Sequence, residues 1–405
     1  MADYFKKFDH RLWILALGWV ASAIGFSISI PFIALYFHSE LGISLIEIGL
    51  FFGVTAIIRA STQAIAGELS DRLGRYSLMV MAQLVRTAVF FAAAFAIYYK
   101  SGFLIIGSLL ILNAIFGAMF QPAAQATVAD LVKFEDRTDA YALVRVAGNF
   151  GWALGPGIGG FVAASSYSIL FIISGCMTLI SSLIIARFLK GIKPSGNNNG
   201  VSFRFKEMFT YKGNELILRF VLYIFVIYLV FAQLIAPFSL YSVDLIGISK
   251  AQLGILFMLN GLMVAFFQLP TTYLIKKYRL TSQLALGSII FACGYFVIGL
   301  SATFALFIIA MAIITTGENC VSPSALALTA NLAPEGRTGR YMGIYGFAVT
   351  FGWSLGPLIG GTLLDLFKPN YIFAWGIISL LAIAGAIGFR SMAKIVPLDL
   401  NKPNK

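Results

Sequence analysis

The chain has 405 residues, of which 59% are hydrophobic and 11% charged, and its mean hydropathy is +0.88. Soluble domains carry about 25% charged residues, and a single core of this size could not bury so much apolar surface. The composition therefore excludes a soluble enzyme, a nucleic-acid-binding protein and a disordered chain. The net charge of +12 indicates no polyanion partner, because the lysines and arginines lie in short clusters between apolar stretches.

Stretches of about 20 apolar residues, the length that crosses a bilayer as a helix, recur along the chain. Most are apolar on all sides, as expected for helices that face both lipid and other helices, and β-barrel alternation is absent. The sequence therefore predicts an all-α polytopic membrane protein with twelve transmembrane helices. The predicted spans lie near 12–37, 45–69, 77–99, 102–130, 140–164, 167–189, 216–241, 250–275, 282–301, 303–331, 340–365 and 371–390.

The basic residues predict the orientation of these spans. Twenty-three lysines and arginines lie in segments on one side of the predicted spans, against three in the alternate segments. Because basic residues accumulate on the cytoplasmic side, we predict a multi-pass protein of the cell (plasma or inner) membrane with both termini cytoplasmic. The longest polar stretch, 190–215, is predicted to be a cytoplasmic linker between two six-helix bundles, 1–189 and 216–405.

Internal similarity indicates that the two bundles are repeats of one another. At an offset of 205, the segment 42–44 recurs as 247–249 and Gln63 recurs as Gln268; at an offset of 201, Pro122 recurs as Pro323 and the segment 151–160 as 352–361. Two pseudo-symmetric six-helix bundles related by a parallel repeat are the architecture of a secondary transporter.

The turn after the second span reads Gly67-Glu68-Leu69-Ser70-Asp71-Arg72-Leu73-Gly74-Arg75. This segment resembles the signature loop of the major facilitator superfamily, and its place in the first half is the expected one. The resemblance implies the major facilitator fold and a cytoplasmic latch formed by Gly67, Asp71, Arg72, Gly74, Arg75 and Asp130. In that latch Arg75 would pair with Asp130, and Asp71, suited to a helix N-terminus, would dock on span 11. The second half lacks the equivalent aspartate, so one latch is expected.

Span 5 carries a glycine on each of three successive helical turns, followed by a further glycine. Tight helix packing is the structural interpretation of such a stripe. The pattern also resembles the span 5 motif of the antiporter branch of the superfamily, the twelve-helix drug–proton exporters, and its copy in span 11 resembles a symmetric hinge partner. The motif residues are Gly151, Gly155, Pro156, Gly159 and Gly160 in span 5, and Gly352, Gly356, Pro357, Gly360 and Gly361 in span 11.

One departure from that branch concerns span 4. Many proton-coupled exporters carry an arginine there, four residues before a glycine, where this chain has Asn113 ahead of Gly117. The family's proton route therefore does not transfer directly. Glu318 is the one acidic residue deep in a predicted span. It either binds a proton and a cationic substrate in competition, which we favour, or pairs with a basic residue on a neighbouring helix.

Arg59 and Arg86 are the other deep charges. Each either binds an anion, such as a carboxylate, a phosphate or a lipid headgroup, or pairs with Glu318 or Asp130; for Arg86 we favour the pairing. The neutral polar candidates for a cavity are Asn113, Gln121, Gln125, Gln233, Asn260 and Asn319. The predicted proton and substrate site comprises Glu318, Arg59, Asn113, Gln233 and Asn319.

The leading functional hypothesis is a proton-coupled exporter of amphipathic small molecules or drugs that works by alternating access. The alternatives are a transporter or flippase of lipids or other anionic amphiphiles, which Arg59, Arg86 and the missing span 4 arginine support, and a non-transporting membrane sensor. No nucleophile, metal-ligand or phosphate-loop constellation indicates an enzyme. We predict no cofactor and no metal, the proton gradient as energy source, contact with membrane lipids, no nucleic-acid partner and a monomer.

Overall fold

The computed structural model describes residues 8–132, 137–190, 215–333 and 338–402. Those residues form twelve long helices and no strand, which confirms the predicted all-α fold. The helices are α1 (His10–Glu40), α2 (Leu45–Leu73), α3 (Arg75–Tyr98), α4 (Phe103–Leu131), α5 (Arg137–Ser165), α6 (Tyr167–Phe188), α7 (Glu215–Leu245), α8 (Lys250–Ile275), α9 (Leu280–Leu300), α10 (Phe304–Leu332), α11 (Thr338–Leu366) and α12 (Ile372–Met392).

The lengths and compositions of these helices suit a membrane. Eleven of them in the described part of the chain are long and apolar enough to cross a bilayer. The twelfth, α5, has 29 residues but carries Arg145 and Asn149 among its apolar side chains. Lipid offers no partner to a backbone amide or carbonyl, so spanning segments satisfy these groups internally, as helices do. The chain is therefore a multi-pass membrane protein.

The first helix of each half is interrupted at a similar place. In α1 the regular helix ends at Ser27, and Pro31 stands in the first turn of the segment that follows. In α7 the regular helix ends at Phe231, and Pro237 stands in the first turn of a later segment. Proline has no amide hydrogen, so it begins a helical segment without losing a hydrogen bond. Neither break was expected from the sequence.

The described residues divide into two compact units. Unit 1 takes its residues from Met1–Ile43, Ile57–Asn198 and Ser249–Gly261, and unit 2 from Ser44–Ala56, Asn199–Ile248 and Leu262–Lys405. The predicted linker, apart from its end residues Lys190 and Glu215, lies outside the described residues, so the predicted domain boundaries stay a prediction.

Glycines bring α5 against α1 within unit 1. A Cβ atom at Gly151 would lie 2.8 Å from the carbonyl oxygen of Val20, and one at Gly155 would lie 2.8 Å from the amide nitrogen of Ile28. The Ser27 hydroxyl donates a 3.2 Å hydrogen bond to the carbonyl of Gly151. Lipid supplies little hydrophobic drive for helix association, so small residues that allow backbones to meet determine the packing.

The same arrangement recurs between α11 and α7 within unit 2. A Cβ atom at Gly352 would lie 2.7 Å from the carbonyl oxygen of Phe225, and one at Gly356 would lie 2.8 Å from that of Leu229. Gln233 is fully buried, and its Nε2 donates hydrogen bonds of 2.9 Å to the Leu229 carbonyl and 2.8 Å to the Gly356 carbonyl. The structure thus places Gln233, a predicted substrate-site residue, in a helix-packing seam.

The last glycine of each motif faces a different helix. Within unit 1, a Cβ atom at Gly160 would lie 2.9 Å from the Cα atom of Gly254 on α8. Within unit 2, one at Gly361 would lie 2.5 Å from the carbonyl oxygen of Leu45 on α2. Each glycine motif therefore packs closely against two helices. The role of the motif as a hinge of an antiporter stays a prediction.

We expect Gly155→Ala to destabilise the protein, although alanine favours helix formation. The added methyl group would meet the Ile28 backbone, and such overpacking costs about 1–3 kcal/mol. Gly346→Ala in α11 is the matched control, because no atom lies within 4 Å of its Cβ position. The midpoint of thermal unfolding in detergent should fall for the first variant and hold or rise for the second. Equal shifts in both variants would contradict the close contact.

Candidate functional site

A cavity of about 160 Å³ lies within unit 1, where side chains of α1 to α5 meet. Its wall combines two guanidinium groups, a hydroxyl and an amide with several aromatic rings. The lining residues are Trp19, Ser22, Ala23, Phe26, Arg59, Arg86, Ala114, Gly117, Phe120, Gln121 and Trp152. This mixture of charged and aromatic groups makes the cavity the candidate site.

A larger groove of about 650 Å³ in unit 2 is less suited to substrate recognition. It lies between α9 and α12 and is lined almost entirely by apolar side chains, among them Ile289, Phe296 and Leu380. Ligand sites use a few placed polar groups to orient the ligand, and this groove offers almost none. We therefore place the candidate site in the smaller cavity.

Arg86 is held in the cavity by neutral groups. Its side chain is 3% exposed, and its Nε donates a 3.0 Å hydrogen bond to Asn113 Oδ1. Its Nη1 donates to Ser22 Oγ at 3.1 Å and to Gln83 Oε1 at 3.0 Å. These bonds orient the guanidinium without neutralising its charge. Arg86 was expected to pair with Glu318 or Asp130. The pairing with Asp130 is wrong, because Asp130 forms its ion pair with Arg75.

The partners of Arg86 are themselves fixed by hydrogen bonds. Gln83 Nε2 donates to Ser22 Oγ at 2.6 Å and to Ser181 Oγ at 3.2 Å. The hydroxyl of Ser181 donates to the carbonyl of Gly18 at 2.7 Å. This buried network joins α1, α3 and α6, and a satisfied polar network of this kind rigidifies its surroundings.

On α4, Gly117 lines the cavity and Asn113 holds Arg86. They stand one helical turn apart, and a Cβ atom at Gly117 would lie 3.5 Å from Arg86 Nε. The missing side chain at this position leaves room for the guanidinium beside α4. Asn113 is 6% exposed and its side-chain oxygen accepts the bond from Arg86, so this predicted site residue contacts a lining residue and does not itself line the cavity.

Arg59 stands on the opposite helix, α2, and shares an aromatic ring with Arg86. The Cζ atom of Arg59 lies 5.3 Å from the centroid of the Phe26 ring, and that of Arg86 lies 5.8 Å from it. Arg59 is half-buried and, within the described part of the chain, makes no hydrogen bond or ion pair. Its guanidinium is therefore available to a ligand in the cavity.

Glu318 and Asn319 lie in unit 2, on α10. Glu318 is half-buried, whereas Asn319 is 1% exposed. Neither side-chain polar atom of Asn319 has a hydrogen-bond partner in the described part of the chain. Its backbone carbonyl accepts a 2.9 Å hydrogen bond from Gln268 Nε2. The roles predicted for Glu318 and Asn319 in proton and substrate binding stay predictions.

The predicted latch residues lie around the turn between α2 and α3. Arg75 forms an ion pair with Asp130 at the end of α4 and donates a 2.7 Å hydrogen bond to the carbonyl of Ala126. Gly74 has a φ of 86°, a left-handed conformation that favours glycine and explains this residue type in the turn. The ion pair is thus present, and its function as a latch stays a prediction.

The other latch residues belong to the preceding helix. Gly67, Asp71 and Arg72 lie in the last turns of α2, which ends at Leu73, and the side chains of Asp71 and Arg72 lie outside the described structure. Asp71 thus lies near the C-terminus of α2, and the residue that precedes α3 is Gly74. The expectation that Asp71 stands at a helix N-terminus is wrong. The predicted docking of Asp71 on span 11 is untested.

Of the predicted substrate site, the structure places Arg59 in the cavity wall and Asn113 against Arg86; Gln121, from the wider candidate list, also lines the wall. Sequence reasoning missed Ser22 and Gln83. Gln83 and Arg86 are three residues apart, a spacing that places both side chains on one face of a helix, so the sequence carried a signal for this pair.

Comparisons with known proteins identify the fold and the family. A model of the Major Facilitator Superfamily matches residues 15–357 and 221–398. An uncharacterized MFS-type transporter, YttB of Bacillus subtilis (strain 168), is 28% identical over 87% of this chain and 88% of its own length. The multidrug resistance protein MdtH of Aeromonas hydrophila is 23% identical over 87% of this chain and 87% of its own length.

Solved structures of other transporters have the same fold. A peptide transporter POT in complex with sulfate has a TM-score of 0.78, with 15% identity over 97% of this chain and 96% of its own. A bacterial homologue of the human lysosomal transporter Spinster has a TM-score of 0.72, with 14% identity over 95% of each chain. At these identities the likeness shows the fold alone.

We expect a large coupling free energy between the side chains of Arg75 and Asp130, which form an ion pair. Their exposed fractions are 14% and 3%, and removing one partner of a buried ion pair costs about 3–5 kcal/mol. Stability is measured by thermal unfolding of Arg75→Ala, Asp130→Ala and the double variant. The double variant should lose much less stability than the two single variants lose in sum. The exposed pair of Arg219 with Glu215 is the control, and we expect coupling below about 1 kcal/mol there. Additive losses at Arg75 and Asp130 would contradict the buried pair.

Proposed function

Because the chain belongs to the Major Facilitator Superfamily, we propose that it is a secondary active transporter that exports amphipathic small molecules by alternating access. The observation that carries this proposal is the cavity of unit 1, with aromatic rings beside guanidinium groups. Rings bury the apolar body of an amphipathic ligand, and placed polar groups orient its charged end. The relatives named multidrug resistance protein MdtH support export of small molecules.

The proposed energy source is the proton gradient, with Glu318 as the proton carrier. A half-buried carboxylate on a helix with apolar flanks is costly in a membrane, and such residues mark proton and substrate paths. No further cofactor or metal is required for this function. The proposed setting is the cell membrane, with both termini cytoplasmic and the protein acting as a monomer among membrane lipids.

Transport of lipids or other anionic amphiphiles is the second candidate. The observation that favours it is the pair of arginines in the cavity wall, with no carboxylate among the lining residues. A cationic drug would meet electrostatic repulsion at this cavity, whereas a negatively charged amphiphile would be attracted.

The test is proton movement in proteoliposomes that contain a pH-sensitive dye and carry an imposed pH gradient. A panel of lipophilic cations, zwitterions and anionic amphiphiles is added to the wild type, to Glu318→Gln and to Glu318→Asp. We expect a proton flux triggered by the substrate class that is transported. It should fall to the protein-free baseline in Glu318→Gln and persist in Glu318→Asp, which keeps the carboxylate.

A flux that persists in Glu318→Gln would remove Glu318 from the coupling mechanism. Movement of radiolabelled solute without proton flux would refute proton coupling and leave transport intact. If no solute of the panel moves, the transport proposal fails and a sensor becomes the better hypothesis.

A further inference from the structure

We infer that the unit 1 cavity is an anion site that seats the carboxylate, phosphate or sulfonate end of an amphipathic molecule. This inference deepens the proposed function, on which it rests, by naming the charge of the substrate. The first observation is the balance of charge. Arg59 and Arg86 both line the cavity, and none of the lining residues carries a carboxylate.

The two guanidinium groups stand at the same aromatic ring, and no lining residue of the cavity supplies a negative charge to balance them. Both stand near the Phe26 ring, and their positive charges repel each other. In a low-dielectric site such repulsion is strong, because little solvent screens it. An anion bound in the cavity that both arginines line would weaken the repulsion and supply a negative charge.

Arg86 and Arg59 would play different parts in binding. Arg86 is fixed by Asn113, Gln83 and Ser22, so its charge has a defined position before any ligand arrives. Arg59 contacts the Phe26 ring but makes no hydrogen bond or ion pair in the described part of the chain, so its donors are available to a ligand. A preorganised group costs little on binding, and a free guanidinium can form a bidentate contact with a carboxylate or phosphate.

The aromatic walls indicate what is attached to the anion. Trp19 and Phe120 pack edge to face at 5.7 Å, as do Phe26 and Trp152. The cavity volume of about 160 Å³ is below the 300–1,000 Å³ of a drug-sized pocket, so it holds a charged end with a small aromatic or apolar body. A longer tail would extend out of the cavity.

The test compares three ligands of one shape by calorimetric titration of the full chain in phosphatidylcholine nanodiscs. Naphthoate carries a negative charge, naphthamide is neutral, and naphthylmethylammonium is positive. We expect naphthoate to bind at least about tenfold more tightly than the amide, since hydrogen bonds between charged groups are worth about 1.5–3 kcal/mol. The ammonium compound should bind most weakly.

Two variants distinguish the anion site from a general loss of structure. Arg59→Gln removes the unpaired charge, and Asn113→Asp places a carboxylate next to Arg86 without a change of shape. Both should weaken naphthoate binding about tenfold or more and leave the thermal unfolding midpoint unchanged or higher, because each relieves repulsion between like charges. Arg390→Gln, on an exposed part of α12, is the control and should bind as the wild type does.

The source of the anion is tested by replacing part of the phosphatidylcholine with phosphatidylglycerol. If a lipid headgroup occupies the cavity, naphthoate binding weakens in the wild type and not in Arg59→Gln. If soluble anions are the ligands, the lipid exchange has no effect. Once naphthoate binding has been shown to depend on its charge and on Arg59, either result of the lipid exchange is consistent with the anion site and identifies the source of its anion.

Equal binding of the three ligands, or binding unchanged in both variants, would overturn the anion site. The proposed function fails in a different way. If naphthoate binds but no solute moves in proteoliposomes, transport is refuted and the anion site stands. If cations are transported and Arg59→Gln has no effect on them, transport stands and the anion site is refuted.

A second proposal concerns the C-terminal segment Val396–Lys402, which returns to the start of α9. Asn401 is fully buried. Its carbonyl oxygen accepts a 2.9 Å hydrogen bond from the amide of Leu280, and its Oδ1 accepts one of 2.9 Å from the amide of Thr281. Asn331 at the end of α10 donates from Nδ2 to the carbonyl of Leu400 at 2.9 Å.

The internal repeat indicates a role for this contact. At the offset of 201, Asn331 corresponds to Asp130, and at the offset of 205, Leu280 corresponds to Arg75. In the first half an ion pair joins these two positions directly. We propose that in the second half the C-terminal segment joins them, as a clamp that replaces the missing ion pair between α9 and α10.

Hydrogen exchange of the full chain tests the clamp. Asn401→Ala should speed exchange of the Thr281 amide, in the first turn of α9, about tenfold or more, because this amide loses its side-chain acceptor Oδ1. Asp399→Ala, at an exposed position of the same segment, is the control and should leave exchange there unchanged. Unchanged exchange in Asn401→Ala would overturn the proposal, as would equal acceleration in both variants.

Discussion

Close backbone contact between α5 and α1, and between α11 and α7, is the constraint on which the rest of this structure depends. In lipid, apolar side chains gain little by leaving the solvent for a neighbouring helix, so association requires contact over short distances. Gly151 and Gly155 permit that contact in unit 1, and Gly352 and Gly356 permit it in unit 2. The first seam also positions the candidate site, because Trp152 and Phe26 reach the cavity from its two helices.

The two halves use the same seam with different polar side chains. In unit 1 the small Ser27 bridges to Gly151, whereas in unit 2 the larger Gln233 fills the space beside Gly356. A similar divergence separates the ion pair of Arg75 with Asp130 from the uncharged hydrogen bonds around Asn331. A repeated backbone therefore carries different chemistry in each half, and in unit 1 it brings two arginines into one cavity.

The cavity shows why deep charges were harder to interpret than helices. Arg86 was expected to pair with a carboxylate, because an isolated charge in a membrane is costly. Its charge is instead stabilised by the neutral oxygens of Asn113, Gln83 and Ser22, which come from three helices. Gln233 was expected in the substrate site, but α7 is apolar on most sides, so its sequence pattern does not show which face a polar residue occupies.

The sequence by itself determined the number of spans, the two-fold repeat, the family and the glycine motifs. These follow from constraints that act along the chain: a bilayer requires about 20 apolar residues per helix, and close packing requires glycines one turn apart. Only the tertiary structure decided that Arg59 and Arg86 share the Phe26 ring, and that the C-terminal segment binds α9. Such contacts depend on the rotation of each helix about its axis, which packing against neighbouring helices sets and a uniformly apolar sequence does not encode.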